Sequence, residues 1–177
     1  MRTLLFALCL IVLTGCKQSK EEEKQQETTP KVVTTYYLIR HAEKDRSDPE
    51  NKDPELTAQG QRRASFWADH FKAVDLDAVY SSDYARTRQT AMPTAGLNGL
   101  EIEIYDPGNL YGEAFLAETK GKNILIVGHS NTIPTLVNQL IQEDRYPDID
   151  DTDNASLFVV SLTDSGAEVE RLSIDLP

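Results

Sequence analysis

Cysteine is nearly absent. The two present, Cys9 and Cys16, both fall within the first sixteen of 177 residues. Everything after them has no disulfide, no thiol nucleophile and no cysteine-based metal site. Positive charge is also short: 18 Lys and Arg face 29 Asp and Glu, a formal net charge of -11. Such a field gives a nucleic-acid partner no electrostatic help. A site for an anionic substrate must then be a local cationic pocket built against the field of the whole molecule. Long apolar runs are missing too. The longest, Leu4 to Leu13, has ten residues, where a helix crossing a bilayer needs about twenty.

That run follows a short basic start, Met1-Arg2-Thr3, and leads through small residues to Cys16. The arrangement reads as a secretory signal peptide. Its end, Leu13-Thr14-Gly15-Cys16, resembles the lipobox of bacterial lipoproteins, which implies a lipidated Cys16 as the new first residue. Several acyl chains hold a soluble domain at a membrane where one would be marginal. Lys17 to Lys31 contains no large apolar residue and cannot bury a core, so it reads as a disordered tether. The expected organisation is a signal peptide over 1–15, lipidated Cys16 and tether over 16–31, and one globular domain over 32–177. Lys17 does not resemble the Asp that retains lipoproteins in the inner membrane, so an outer-membrane location is expected. Glu21-Glu22-Glu23 resembles a surface-export signal, although a solvated charge run explains it as well.

Two short stretches organise the domain. Tyr36-Tyr37-Leu38-Ile39 ends abruptly in Arg40-His41, and Ile124-Leu125-Ile126-Val127 ends in Gly128-His129-Ser130-Asn131. Both runs are apolar at every position, as strands buried on both faces of a parallel sheet must be. Ligands of such sheets bind beyond the carboxyl ends of the strands. If the two strands are neighbours, His41 and His129 meet at one sheet edge beside Arg40.

Between them the sequence predicts further alternation of strand and helix. A polar loop runs from Glu43 to Glu55, and Thr57 caps a helix whose Ala64, Trp67, Ala68 and Phe71 form an apolar stripe. Ala78 to Ser81 is a short strand; Ser82-Asp83 should cap the next helix, which Pro93 should shorten or bend. Leu100 to Tyr105 reads as a strand near a sheet edge, followed by a helix ending near Gly121. A helix from Asn131 to about Gln142 and a polar loop from Asp144 to Asn154 come next. The chain closes in a hairpin of Leu157–Leu162 and Ala167–Ile174. The expected class is α/β, a three-layer α/β/α sandwich on a mainly parallel sheet with an antiparallel edge.

A neutral imidazole is a competent nucleophile toward phosphorus, provided the charge of the phosphate is neutralised. Arginine does this well because its planar fork binds phosphate oxygens in pairs and stays protonated. Ser130 and Asn131 lie at a strand-to-helix junction, where helix N-terminal amides favour anions. Ser81-Ser82-Asp83-Tyr84-Ala85-Arg86-Thr87-Arg88 offers two more arginines. They lie roughly 200° apart around a helix, so one is a phosphate clamp and the other a surface charge.

Arg-His-Ala-Glu at 40–43, Leu56-Thr57 with Gly60 and Ala64, the Ser-Ser-x-x-x-Arg-x-x-Gln-Thr-Ala segment from Ser81, and Val-Gly-His-Ser at 127–130 together resemble the histidine phosphatase superfamily, which includes phosphoglycerate mutases. The resemblance runs from about Thr35 to Ser161. It implies a phosphoglycerate mutase-like fold, His41 as the nucleophile that becomes phosphohistidine, and Arg40, Arg86 and His129 gripping the phosphoryl group. It selects Arg86 over Arg88 and implies no metal or other cofactor. The substrate implied is a small phosphorylated molecule, and the RHAEK start looks like short members acting on sugar phosphates of the cell envelope. Ala42 stands where the family usually has glycine. The general acid has no clear counterpart: Glu113 is the nearest match, with Asp106 and Glu43 as rivals. Glu43 also reads as a group lining the pocket mouth or orienting an arginine, and His70 as exposed and inert. A phospho-ligand-binding module without turnover and a mutase-type phosphotransferase are the alternatives to a phosphatase.

Overall fold

The structure, a computed structural model, describes residues 32–176. The signal peptide, Cys16 and tether expected from the sequence lie outside the described residues.

Among the described residues six strands form one sheet: β1 (Thr34–Arg40), β2 (Ala78–Ser82), β3 (Ile102–Tyr105), β4 (Asn123–Gly128), β5 (Ser156–Thr163) and β6 (Gly166–Ser173). Their order is β3-β2-β4-β1-β5-β6. The first four are mutually parallel, and β5 and β6 extend the β1 side antiparallel. The expected architecture is present, including the antiparallel edge. β1 and β4 are the central pair, which explains their apolar character on both faces.

The helices are α1 (Ala58–Phe71), α2 (Ala85–Asn98), α3 (Glu113–Thr119) and α4 (Thr132–Ile141). On one face of the sheet Trp67 and Phe71 of α1 and Ala91 and Ala95 of α2 pack on Ile39, Val79, Leu125 and Val127. On the other, Phe115 of α3 and Ile133, Leu136, Val137 and Leu140 of α4 pack on Tyr36, Leu38, Ile124 and Ile126. Alternate residues of β1 and β4 thus feed the two cores, as the period of a strand requires. Trp67 and Phe71 are core residues, and His70 is exposed.

Thr57 caps α1 as expected, its Oγ1 accepting from the Gly60 amide at 3.1 Å. One local expectation fails, and of the two effects expected of Pro93 shortening is absent. Ser82 and Asp83 do not cap α2, whose N-cap is Tyr84 without a side-chain cap bond; the Ser82 hydroxyl is used inside the site instead. Nor does Pro93 shorten α2, which continues to Asn98 and ends on left-handed Gly99. A proline removes one backbone donor, but Ala91 and Ala95 on either side of it are buried against the sheet, and packing of an apolar face outweighs a single lost bond.

Candidate active site

Register places the site. In the parallel pairing of β1 with β4, Arg40 stands opposite Gly128, and the His41 amide continues the ladder to the Gly128 carbonyl at 2.9 Å. The next residue of each strand is a histidine, and the two rings lie 5.7 Å apart edge to face. β2 flanks β4, so its last residue, Ser82, falls level with them.

His41 is 3% exposed. Its Nδ1 lies 2.7 Å from the Ala42 carbonyl. A carbonyl only accepts, so Nδ1 carries the proton and Nε2 keeps its lone pair. Burial, followed by the charges of Arg40, Arg86 and His129, pushes the His41 pKa down to about 3 against the opposing Ala42 bond. At neutral pH this imidazole is an unprotonated base with one fixed tautomer. The loop around it is pinned from several sides. Thr90 accepts from the Ala42 amide at 2.9 Å, Asn154 donates to the His41 carbonyl at 2.8 Å, and Gln89 accepts from the Leu56 amide at 2.8 Å. Gln89 and Thr90 belong to the Arg-x-x-Gln-Thr segment, and their task is to tie α2 to the loop that follows β1.

His129 takes part in a one-directional chain of hydrogen bonds. Thr87 donates to backbone carbonyls, the Ser82 hydroxyl donates to Thr87 at 3.1 Å, and His129 Nε2 meets the Ser82 oxygen at 2.8 Å. With the Ser82 proton spent on Thr87, Nε2 is the donor. Nδ1 then accepts from Arg86 Nη2 at 3.4 Å. Burial and the Arg86, Arg40 and Lys44 charges hold the His129 pKa down at about 4.

The two arginines complete the cradle. Arg40, 2% exposed, spends Nη1 on the carbonyls of Asp150 and Asp153 at 2.9 and 3.2 Å, and Nη2 on Asp151 Oδ1 at 2.5 Å. Arg86 lies over the Tyr84 ring, 4.4 Å from its centroid, and meets Asp53 at 3.4 Å. Burial pushes its pKa down. Arg40 and Arg86 each have a buried Nε with no partner among the described residues. Two unsatisfied guanidinium donors are costly to leave dry and mark where an anion would sit. Arg88 pairs with Asp83 on the surface, whereas Arg86 lines the pocket.

These groups line a cavity of about 360 Å³ together with Lys44, Tyr84, Pro107, Ser130, Asn131, Thr132 and Asp151. A larger cavity of about 460 Å³ on the outer side of α1 contains none of this chemistry. Ser130 and Asn131 line the pocket as expected. Glu43 is not among the residues lining this cavity; it lines an adjoining one with Lys44, Arg46 and Asp151, and it orients an arginine. Its Oε1 is held by Arg63 Nε and Nη2, both at 2.9 Å, and its backbone closes on α1, where a Cβ on Gly60 would come within 2.3 Å of the Glu43 carbonyl oxygen. Glu113 is exposed at the start of α3 and Asp106 is exposed in a turn; neither lines the pocket. Among the described residues no group of three or more His, Cys, Asp or Glu could hold a metal ion.

Lys44, Ser82, Asp151 and Asn154 lie in or against the site without a pattern in the sequence that points to them. Ser82 looks like a helix cap by its position before α2. Asp151 and Asn154 sit in a polar loop whose position over the β1 end is purely tertiary.

The two central strands of this α/β sandwich end in histidines that lie between buried arginines, an arrangement with the groups to bind an anion. Residues 36–107 match the model of the histidine phosphatase superfamily (branch 1). The matched segment includes Arg40, His41 and Arg86; it is the sheet register that adds His129. No curated protein matches the chain. Among solved structures, the protein histidine phosphatase SixA complexed with tungstate is similar at 18% identity and a TM-score of 0.62, over 78% of this chain and 96% of that one. Mycobacterial glucosyl-3-phosphoglycerate phosphatase is similar at 15% identity and a TM-score of 0.60, over 82% and 100%. Phosphoglycerate mutase from Bacillus anthracis gives 18% and 0.62, over 81% and 94%. At these identities the likeness is one of fold, and it is a phosphoglycerate mutase-like fold.

Proposed function

We propose that this protein hydrolyses phosphate monoesters through a phosphohistidine formed on His41. The observation that carries the reading is the pairing of a buried, neutral imidazole, its lone pair fixed on Nε2, with two buried guanidinium Nε donors that lack partners. Nucleophile and anion cradle are both preorganised, and preorganised charge is the largest contribution to catalysis in most such sites. Tungstate, the oxyanion held by the SixA neighbour, has the tetrahedral shape of phosphate and is a suitable probe.

In the first step Nε2 of His41 attacks phosphorus and the P–O ester bond breaks. Arg40 and Arg86 hold the equatorial oxygens. His129 accepts from Arg86 in the structure; beside a phosphoryl dianion its Nδ1 gains a proton and donates to an oxygen, with Ser82 steadying the other nitrogen. Water then attacks phosphorus and returns the electron pair to His41. The superfamily also contains mutases, but the hydrolytic reading needs only the groups present, whereas a mutase must bind a second phosphorylated position.

The substrate class suggested by the resemblance is a sugar phosphate of the cell envelope. The domain is proposed to work outside the cytoplasm, tethered through a lipid on Cys16. Alkaline denaturing quench of the full chain with 2,4-dinitrophenyl phosphate, followed by mass spectrometry at basic pH, tests the chemistry, since the P–N bond of phosphohistidine is lost in acid. A phosphoryl adduct on His41 supports it; tight tungstate binding with neither adduct nor hydrolysis leaves a binding module. Labelling with radioactive palmitate, lost in Cys16→Ala, tests the anchor.

A further inference from the structure

We propose that Asp151 is the general acid of this reaction, taking up a proton from solvent water when the phosphoryl dianion arrives. The assignment rests on the phosphatase reading above and supplies what that reading leaves open, the protonation of the leaving oxygen.

Asp151 is the one carboxylate that lines the pocket among the described residues. Glu43 is turned toward Arg63, Asp106 is engaged in its own turn, and Glu113 is exposed on α3. Asp151 lies in the loop between α4 and β5 with its side chain 62% exposed, and it is shared between two guanidiniums. Its Oδ1 meets Arg40 Nη2 at 2.5 Å and its Oδ2 meets Arg46 Nη1 at 2.7 Å. Arg40 Nε, on the same side of the guanidinium as Nη2, is buried and unpartnered. An anion bound in the usual two-pronged manner takes Nε and Nη2 together, so a phosphoryl group seated on Arg40 must displace the Asp151 oxygen from Nη2. Two other contacts keep the loop in place during that exchange. Arg40 Nη1 stays on the Asp150 and Asp153 carbonyls, and Arg46 holds the far oxygen of Asp151. The carboxylate therefore stays at the mouth of the pocket.

Its electrostatic surroundings then reverse. Arg46 and Arg40 now hold its carboxyl down at about 2. With Arg40 given over to a dianion that lies beside it, a like charge replaces an opposite one, and the protonated form is favoured. As His41 Nε2 forms its bond to phosphorus, the electron pair of the breaking P–O bond leaves on oxygen, and that oxygen takes the Asp151 proton. The resulting carboxylate accepts a proton from the water that attacks phosphohistidine, hydroxide goes to phosphorus, and the acid is restored. Lys44 also lines the pocket and is the competing proton source.

The test compares 2,4-dinitrophenyl phosphate, whose leaving group needs no proton, with phenyl phosphate, whose leaving group does. General acids contribute about 10²–10⁴-fold, so Asp151→Asn should lower kcat/KM for phenyl phosphate about 100-fold more than for the dinitrophenyl ester. Tungstate inhibition should tighten several-fold in the same variant. The exposed position leaves folding intact, which a melting curve verifies. Equal losses on the two esters, no loss on either, unaltered tungstate inhibition, or a selective loss in Lys44→Ala instead would each overturn the assignment. So would a wild type that turns over the dinitrophenyl ester but not phenyl phosphate. If the wild type forms no phosphohistidine from the dinitrophenyl ester, the phosphatase reading itself has failed.

Discussion

Arg40 stands opposite Gly128 in the pairing of the two central strands, and this one register brings both histidines to the same edge. A slip of one residue would send every side chain of the strand to the other face of the sheet. It would also break the bond from the His41 amide to the Gly128 carbonyl.

Gly128 permits that closeness. A Cβ there would lie 2.7 Å from Tyr105 Oη, 2.9 Å from Ile133 Cδ1 and 3.0 Å from Thr132 Oγ1. Overpacking of this kind costs about 1–3 kcal/mol. Gly128→Ala should lower the urea midpoint accordingly, and kcat/KM should fall more than stability does, since the displaced neighbours adjoin His129. A variant with wild-type stability would show that the strand end can yield.

The two buried imidazoles make the fold acid-sensitive. His41 and His129 titrate at about 3 and about 4 in the folded protein, against an ordinary value of 6.5. The unfolded chain binds their protons first, so stability is complete above 6.5 and falls as pH drops toward 4 and then 3. The slope is about 1.4 kcal/mol per pH unit for each histidine. Urea titrations between pH 7 and pH 4.5 should show it, with a shallower slope in His41→Asn. An unchanged slope in that variant would mean that His41 is already charged in the fold.

Arg86 and Arg88 differ by two residues and by everything else. Arg86 reaches His129 and keeps a buried free Nε, whereas Arg88 pairs with Asp83 on the surface. Removing one preorganised donor costs about 10²–10³-fold in rate, and exposed pairs contribute at most about 1 kcal/mol. Arg86→Ala should therefore lose at least about 100-fold in kcat/KM on an aryl phosphate, and Arg88→Ala less than about threefold. Comparable losses would remove Arg86 from the cradle.

The contrast between those arginines was visible in the sequence, because helical phase separates them and the family pattern selects one. The convergence of His41 and His129 was visible for a related reason. Two runs apolar at every position are fit only for central parallel strands, and whatever follows such strands meets at one edge. The Thr57 cap is equally local. What was not visible depends on tertiary placement. Ser82 looks like a helix cap by position, but it lies level with His129 once β2 is set beside β4. Pro93 looks like a helix terminator, but the helix is held by residues packed on either side of it. Asp151 and Asn154 belong to a polar loop with no local pattern, and only the fold brings that loop over the end of β1.

Glu43 shows how a residue inside a functional motif can serve the framework. It directly follows Arg40-His41-Ala42, yet its Oε1 is gripped by Arg63 through two nitrogens at 2.9 Å. Its carbonyl accepts from the Thr57 amide at 2.9 Å, joining the loop after β1 to the start of α1. Arg63 is 8% exposed and Glu43 19%, so removing either partner strands a charge that is mostly dry. Breaking a fully buried pair costs about 3–5 kcal/mol, and partial exposure reduces that to roughly 1–3 kcal/mol. Glu43→Gln keeps the shape and one acceptor, so it should fall at the low end, while Arg63→Ala should fall at the high end. If Glu43 serves the framework alone, both variants, assayed well below their melting temperatures, should retain kcat within about threefold and show the same ratio of phenyl to dinitrophenyl phosphate turnover as wild type. A selective loss on phenyl phosphate in Glu43→Gln would make Glu43 the proton donor and displace Asp151 from that role.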